Sequence, residues 1–175
     1  TAWGLSGRLD GIIWMVTEAL GVSITTFSAQ NFGARNYDRM RKGYHTSLLL
    51  SFVLIGGLSA VLLVFSGPLS RLFIDDASIS AYTTTIIHFI APFYAIFSII
   101  ENASGSIRGA GVSFQPMVLT IFGTVVLRVI WLFAIMPLDP SLEHLLLVYP
   151  VTWIITATMF TIYHHSGNWL GRATA

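Results

Sequence analysis

Five long apolar stretches alternate with short polar connections along the 175-residue chain. A helix that crosses a bilayer needs roughly 20 mostly apolar residues. The pattern predicts such helices over about 11–32, 44–66, 81–105, 115–136 and 146–165. These runs are too long for strands and lack strict alternation of apolar and polar residues. The chain is therefore expected to be an all-α polytopic membrane protein rather than a membrane β-barrel.

The connections contain residues that stop helices. Gly67 and Pro68 are expected to end the second stretch, and Pro137 and Pro140 the fourth, because proline cannot continue a helix. Pro92, inside the third stretch, predicts a kink. No linker or second soluble domain interrupts the pattern, so residues 1–175 are predicted to form a single transmembrane domain. The opening at Thr1, with no start methionine, suggests a fragment of a larger protein.

Composition agrees with the pattern. The chain is 54% hydrophobic and 10% charged, with a mean hydropathy of +0.74, whereas soluble domains carry about 25% charged residues. The absence of cysteine excludes disulfides and thiol chemistry. No metal-ligand spacing, phosphate-binding glycine loop or basic aromatic patch is present. We therefore predict neither an enzyme nor a nucleic-acid-binding protein, and no organic cofactor.

The distribution of Lys and Arg predicts the orientation of the chain. Cations cluster in two connections and in the tail, at Arg35, Arg39, Arg41, Lys42, Arg108 and Arg172. The second connection has only Arg71 against two aspartates, and the fourth has none. Cytoplasmic loops carry the excess of Lys and Arg. Residues 33–43 and 106–114 and the C-terminus are therefore expected to be cytoplasmic, in a multi-pass protein of the cell membrane. Asp10 would then lie on the outer side.

Four ionisable side chains fall inside the apolar stretches, namely Glu18, His88, Glu101 and Arg128. Such residues are costly in a bilayer and are therefore functional candidates. Counting 1.5 Å per residue places Glu18, His88 and Arg128 about 10–12 Å below the outer face. At one depth, Glu18 and Arg128 would relieve each other's desolvation. The residues leave open whether this pair is a proton or cation site or a structural ion pair.

Two helix faces carry further polar or small residues. Thr17, Gly21, Thr25 and Ser28 form a stripe that indicates either a polar cavity or, more commonly in membranes, a close helix contact. Tyr94, Ser98, Glu101 and Gly105 share one face of the third helix. For Glu101 the alternatives are an interfacial position, pairing with Arg108, or a substrate or coupling-ion role. His88 suits a structural hydrogen bond or a proton relay. Trp153 and Trp169 suit interface anchors or core residues.

Two short motifs resemble the multidrug and toxic compound extrusion (MATE) family. Gln30, Gly33, Ala34 and Arg39 resemble the loop that follows the second helix of a lobe in that family. Arg108, Gly109 and Gly111, followed by Pro116, resemble its Arg-Gly-small-Gly…Pro element between the fourth and fifth helices of a lobe. Arg128 resembles an arginine common in the next helix. The order of these motifs matches the predicted topology over essentially the whole chain.

The resemblance implies two six-helix lobes, of which this chain would be the C-terminal lobe without its first helix. The missing N-terminal lobe, membrane lipid and small amphipathic cationic drugs would be its partners. Export of organic cations would be coupled to H⁺ or Na⁺ by alternating access. Glu101 is the closest counterpart of an acidic residue on the fourth helix of the family's C-terminal lobe, and the motif residues would be structural. A lipid-linked saccharide flippase of the same superfamily and an inactive truncated membrane protein are the alternatives.

Overall fold

The computed structural model describes residues 2–73, 76–138 and 140–174 of the chain. These residues form helices joined by short connections, and none of them lies in a strand. Five helical stretches are long and apolar enough to cross a membrane, at Gly11–Gly33, Tyr37–Phe73, Ala77–Gly109, Phe114–Ala134 and Leu142–Ser166. The predicted all-α polytopic fold is confirmed. Asp75, one of the two aspartates of the second connection, lies outside the described residues.

The helices follow one another in the order α1 (Ala2–Leu9), α2 (Gly11–Gly33), α3 (Tyr37–Phe73), α4 (Ala77–Ile90), α5 (Tyr94–Gly109), α6 (Phe114–Thr120), α7 (Leu127–Ala134), α8 (Leu142–Ser166) and α9 (Asn168–Thr174). A 3₁₀ turn, Ala91–Phe93, joins α4 to α5, and a π-helical segment, Ile121–Val126, joins α6 to α7. The 3₁₀ turn contains Pro92, so the predicted kink of the third stretch is confirmed.

Helices α1 and α2 form one bent helix. Asp10, between them, has helical dihedrals (φ −86°, ψ −6°). Its N–H donates to the Ser6 carbonyl at 3.0 Å, and its own carbonyl accepts from the Trp14 N–H at 3.1 Å. The spanning helix α2 begins at Gly11, as predicted, and hydrogen bonding continues back from it through Asp10 into α1. The charges at Arg8 and Asp10 interrupt the apolar run in the sequence, but the backbone ladder continues through them, so Asp10 belongs to the helix rather than to an outer loop.

The basic connection is shorter than the predicted 33–43. Helix α3 begins at Tyr37 rather than near 44, and Arg39, Arg41 and Lys42 lie in its first turns. The Asn36 side chain caps this end by accepting from the Arg39 N–H at 3.2 Å. Polar residues can occupy these turns because they project from the end of the bundle. The connection itself is only residues 34–36.

Pro68 does not end α3, which continues to Phe73. The prediction of an end at Gly67 and Pro68 is wrong because contacts with α4 keep the chain helical beyond the proline. The Ser66 hydroxyl lies 2.9 Å from the His88 Nε2, and the Ser70 hydroxyl 2.7 Å from that of Ser80. Neighbouring helices can stabilise a helix in this way around a proline within a membrane.

Helix α4 begins at Ala77, a turn earlier than predicted, because Asp76 caps it. Its carboxylate accepts from the Ser78 N–H at 2.8 Å and from the Ser78 hydroxyl at 2.6 Å. These hydrogen bonds hold the pKa of Asp76 below its ordinary value. A charged cap of this kind places the α3–α4 connection at a polar end of the bundle.

Two turns with the same geometry end α2 and α5. After α2 the N–H groups of Arg35 and Asn36 donate to Phe32 and Asn31, with Arg35 at φ 55°. After α5 the N–H of Gly111 donates to Arg108 at 2.9 Å, and Gly111 has φ 88°. Both are Schellman turns, which need one left-handed residue. The motif residue Gly111 therefore supplies a backbone conformation that other residues rarely adopt.

The small-residue stripe of α2 packs directly on α5. A Cβ on Gly105 would lie 2.8 Å from the Gly21 carbonyl oxygen, and a Cβ on Gly109 would overlap the Thr25 carbonyl. The Ser28 and Ser106 hydroxyls are 3.4 Å apart across the same contact. The structure thus supports the helix-contact interpretation of the stripe. This close α2–α5 seam fixes the side chains that line both cavities described below.

Candidate functional site

A cavity of about 450 Å³ lies between α2, α5, α7 and α8. We call it the aromatic cavity and define it by Asp10, Trp14, Tyr94, Arg128, Tyr149 and Trp153. Helix α2 contributes its kinked start, α5 its first turn, and α8 two residues one turn apart. The cavity therefore forms where two helices bend, at Asp10 and at Pro92, and leave room that straight helices would fill.

Asp10 and Arg128 bring opposite charges to this cavity without pairing. The Tyr94 hydroxyl donates to Asp10 Oδ2 at 2.5 Å. Asp10 Oδ1 and Arg128 Nε are buried and lack a hydrogen-bond partner of ordinary geometry among the described residues, although the Trp14 side chain interacts with the Asp10 carboxylate. Buried polar atoms in proteins are nearly always paired, and the exceptions call for an explanation such as a ligand or ion. The two atoms together indicate a polar binding site with one carboxylate and one guanidinium.

Aromatic rings form a connected part of the remaining wall, which also includes isoleucines of α4. The Trp14 ring centroid lies 5.6 Å from that of Tyr94, 4.9 Å from Phe97 and 6.0 Å from Trp153, in edge-to-face arrangements. Tyr149 continues the group at 5.9 Å from Trp153. Trp153 is 2% exposed and its indole N–H is also unpartnered within the described residues, so it is not an interface anchor. Ring faces beside a carboxylate suit an organic cation.

The π-helical segment Ile121–Val126 places Arg128 in the aromatic cavity. Gly123, inside the segment, packs so closely on α8 that a Cβ would overlap the Thr156 side chain. Just beyond it, the Arg128 guanidinium carbon lies 4.5 Å from the centroid of the Tyr149 ring. This cation–π contact holds the arginine at the wall while leaving Nε free. Short π-helical insertions occur frequently at functional sites.

A second cavity of about 390 Å³ follows along the α2–α5 seam. We call it the acidic cavity and define it by Thr17, Glu18, Val22, Glu101 and Arg108; Trp14 and Phe97 border both cavities. Glu101 Oε2 and Arg108 Nη2 are 3.9 Å apart, so these two charges form an ion pair. The predicted pairing of Glu101 with Arg108 is thus present. Glu18 is exposed at the edge of this cavity.

Glu18 and Arg128 do not form the predicted pair. They line different cavities, separated by Trp14 and Phe97, and form no ion pair with each other. Helix α2 begins at Gly11, as predicted, but helical hydrogen bonding also runs through Asp10, just before it. Glu18 lies eight residues beyond Asp10, about 12 Å further along the helix. Asp10, rather than Glu18, is therefore the acidic residue that shares a cavity with Arg128.

Comparison with known proteins places the chain in a family. The MatE family model matches residues 1–133, more than half of the chain. The chain belongs to the MatE family. It is 24% identical over 121 residues to the probable multidrug resistance protein YoeA of Bacillus subtilis (strain 168), covering 69% of this chain and 26% of that protein. The probable multidrug resistance protein NorM of Aromatoleum aromaticum is 29% identical over 113 residues, covering 64% and 24%.

The NorM protein of Thermotoga maritima, also named a probable multidrug resistance protein, is 26% identical over 117 residues, covering 65% of this chain and 24% of its own length. The chain thus spans about a quarter of the length of these curated relatives. The MATE resemblance inferred from the two motifs is confirmed. Its two motifs coincide with the turns that end α2 and α5, where Gln30, Gly33 and Ala34 lie at or beside the end of α2. Pro116 is buried in the first turn of α6.

His88 lies outside both cavities of this MATE chain. Its Nε2 is 2.9 Å from the Ser66 hydroxyl and 3.1 Å from the Leu63 carbonyl oxygen. These contacts tie α4 to α3 across the bundle. They correspond to the structural hydrogen bond that the sequence favoured for this histidine.

Sequence reasoning missed three important residues of the aromatic cavity. Asp10 was assigned to an outer connection, while Trp14 and Tyr149 were passed over. A signal was nevertheless available for two of them. Extending the Thr17–Gly21 stripe backwards by helical steps of three and four residues reaches Trp14 and then Asp10. Tyr149 offers no comparable signal, because only the fold brings α8 against Arg128.

Proposed function

We propose that this chain forms part of a secondary active multidrug efflux transporter, which exchanges amphipathic organic cations for H⁺ or Na⁺ by alternating access. The family and the names of the relatives support multidrug efflux in general terms. The observation that carries the finer proposal is the aromatic cavity, where an unpartnered Asp10 oxygen lies among aromatic rings. We therefore assign the binding site to Asp10, Tyr94 and Arg128, in place of the set Glu18, Glu101 and Arg128 that the sequence suggested.

Each polar residue of the cavity has a distinct role in this proposal. Asp10 takes either the coupling ion or the cationic group of the drug, and Tyr94 orients its carboxylate through the hydrogen bond to Oδ2. Trp14, Tyr149 and Trp153 contact the flat apolar part of the drug. Arg128, held over the Tyr149 ring, supplies a positive charge to the same cavity.

Exchange follows from the charge balance of this cavity. With Asp10 ionised and Arg128 charged, the net charge of the cavity is zero, and one bound cation raises this net charge to plus one. A second cation would be repelled, because charges interact strongly in a poorly solvated site. Drug and coupling ion therefore compete for Asp10, and release of one accompanies binding of the other. This competition is the minimum requirement for antiport.

The placement in the cell is part of the proposal. The turns at 34–36 and 110–113 and the C-terminal end face the cytoplasm, in accordance with the cluster of Arg and Lys residues there. A second lobe from the same protein completes the drug pathway, since the chain spans about a quarter of its relatives. A flippase for lipid-linked saccharides is less well supported, because Arg128 is the single Lys or Arg among the described residues that line the aromatic cavity.

The test is efflux by the natural full-length protein in energised membrane vesicles. A panel of cationic dyes is measured while the H⁺ and Na⁺ gradients are collapsed separately. We expect dye export to stop when one of the two gradients is removed. Asp10→Asn should abolish export, whereas the matched variant Glu18→Gln, on the same helix, should retain it. Normal export by Asp10→Asn, or no dependence on either gradient, would refute the proposal.

A further inference from the structure

We propose that a groove between α2 and α3, separate from both cavities, binds one anionic glycerophospholipid. The groove has a volume of about 560 Å³ and shares no lining residue with the aromatic or acidic cavity. We call it the basic groove and define it by Leu20, Phe27, Arg39, Lys42, Gly43 and Leu50. Its two walls belong to helices that are long and apolar enough to cross a membrane.

One end of the groove is cationic. Arg39 and Lys42 are exposed, and neither forms an ion pair in the described part of the chain. The guanidinium carbon of Arg39 lies 5.6 Å from the centroid of the Phe27 ring, which places this charge over the mouth of the groove. Both cations lie in the first turns of α3, at the level of lipid headgroups. Two cations at this point form a binding site for a phosphate group.

The rest of the groove is apolar. Leu20, Ile24, Phe27 and Leu50 supply hydrocarbon surface. The hydroxyls along the walls all have protein partners: Ser23 donates to the Ala19 carbonyl at 2.7 Å, Thr46 to the Lys42 carbonyl at 2.9 Å, and Ser47 to Asn102 Oδ1 on α5. Hydrogen bonds of this kind leave methyl and methylene groups facing the groove. The wall therefore suits an acyl chain rather than a polar ligand.

The shape of the groove at Gly43 and its length along α3 both suit a bound lipid. A Cβ on Gly43 would overlap the Phe27 ring, so the glycine lets this ring lie flat against the α3 backbone at the base of the groove. Arg39 and Leu50 are eleven residues apart on α3, or about 16 Å along its axis. One leaflet of the hydrocarbon core is roughly 15 Å thick. A headgroup phosphate at Arg39 thus directs an acyl chain past Leu50 toward the bilayer centre.

The charge of the groove selects an anionic headgroup. Two cations face one phosphate, so a lipid with a net negative charge, such as phosphatidylglycerol, leaves less positive charge uncompensated. A choline or ethanolamine headgroup would add a third cation at the same place. We expect each of the two charges to contribute about fivefold to the preference for anionic lipid.

The natural full-length protein is placed in phosphatidylcholine nanodiscs that contain a small share of phosphatidylglycerol with a photo-crosslinking acyl chain. Crosslinked peptides are mapped by mass spectrometry. We expect labelling at Leu20, Phe27 and Leu50, reduced by about tenfold or more in R39Q/K42Q. The control R35Q/R41Q removes the same charge from outside the groove and should keep labelling within about twofold. Leu50→Trp, which fills the groove but keeps both cations, should also lower labelling.

Three outcomes would overturn the proposal. Equal losses in R39Q/K42Q and R35Q/R41Q would mean that only general surface charge attracts the lipid. Equal labelling by a phosphatidylcholine probe would remove the headgroup preference. Failure to label the groove at all would mean that another part of the protein occupies it. Addition of soluble glycerol phosphate separates the two sources of phosphate: we expect no displacement of the lipid, and efficient displacement would identify a site for free phosphate esters instead.

Discussion

The two cavities along the α2–α5 seam differ in what their charged groups contact. In the acidic cavity Glu101 faces Arg108 at 3.9 Å, and Glu18 is exposed. In the aromatic cavity Asp10 and Arg128 each keep a buried polar atom without a partner in the described chain. Trp14 and Phe97 separate the two environments, with ring centroids 4.9 Å apart.

The difference is one of pairing: Glu101 already has a cationic partner, whereas Asp10 and Arg128 each have a buried polar atom without one. A carboxylate that already faces a cation gains little from a second one, whereas an unpaired buried oxygen gains a full charge-assisted interaction. The count of acidic residues alone would favour the acidic cavity as the functional site. The pattern of partners instead favours the aromatic cavity.

The sharpest test compares carboxylate neutralisation in the two cavities. Asp10→Asn should weaken binding of a cationic dye by about 2 kcal/mol or more, which is roughly 30-fold, because it removes the unpaired charge of the aromatic cavity. Glu101→Gln should change affinity less than about threefold. Binding is measured by dye fluorescence titration of the purified full-length protein. A larger loss in Glu101→Gln than in Asp10→Asn would reverse the assignment of the two cavities.

The seam shared by both cavities is tested with glycine substitutions. Gly105→Ala should destabilise the protein by about 1–3 kcal/mol, because the added Cβ would meet the Gly21 carbonyl and Ile24 at 2.8 Å. Gly56→Ala is the matched control, since a Cβ there meets no atom within 4 Å. Thermal unfolding in detergent should show a lower Tm for Gly105→Ala only. Equal Tm values would show that the seam can widen freely.

The hydroxyl of Tyr94 gives a smaller effect within the aromatic cavity. Tyr94→Phe removes the hydrogen bond to Asp10 Oδ2 and keeps the ring. We expect about a fivefold weaker affinity for cationic dyes, corresponding to roughly 1 kcal/mol for one hydrogen bond. Ser98→Ala is the control, because that hydroxyl donates within α5 to the Ala95 carbonyl. If both variants bind dye equally well, Tyr94 does not orient Asp10.

The sequence was sufficient for the fold but not for the site. Apolar runs of membrane length predict helices in any context, and the glycine and arginine motifs mark two turns whose geometry is local. The meeting of Asp10 and Arg128 in one cavity depends instead on the junction at Asp10 and on the π-helical segment before Arg128. Neither feature has a strong signature in the sequence. The charges at Arg8 and Asp10 resemble a connection in the sequence, and the prediction therefore places Glu18 rather than Asp10 with Arg128.

The smallest expected effect concerns the ion pair of the acidic cavity. Glu101 and Arg108 are 3.9 Å apart, and their side chains are 30% and 45% exposed. Exposed pairs contribute little, because solvent screens the charges and long side chains lose entropy on pairing. A double-mutant cycle with Glu101→Gln and Arg108→Gln should therefore give a coupling energy of about 0.5 kcal/mol in the free energy of unfolding. A coupling energy above about 2 kcal/mol would show that the acidic cavity is as poorly solvated as the aromatic cavity. The two cavities would then differ only in whether their charged groups have partners within the protein.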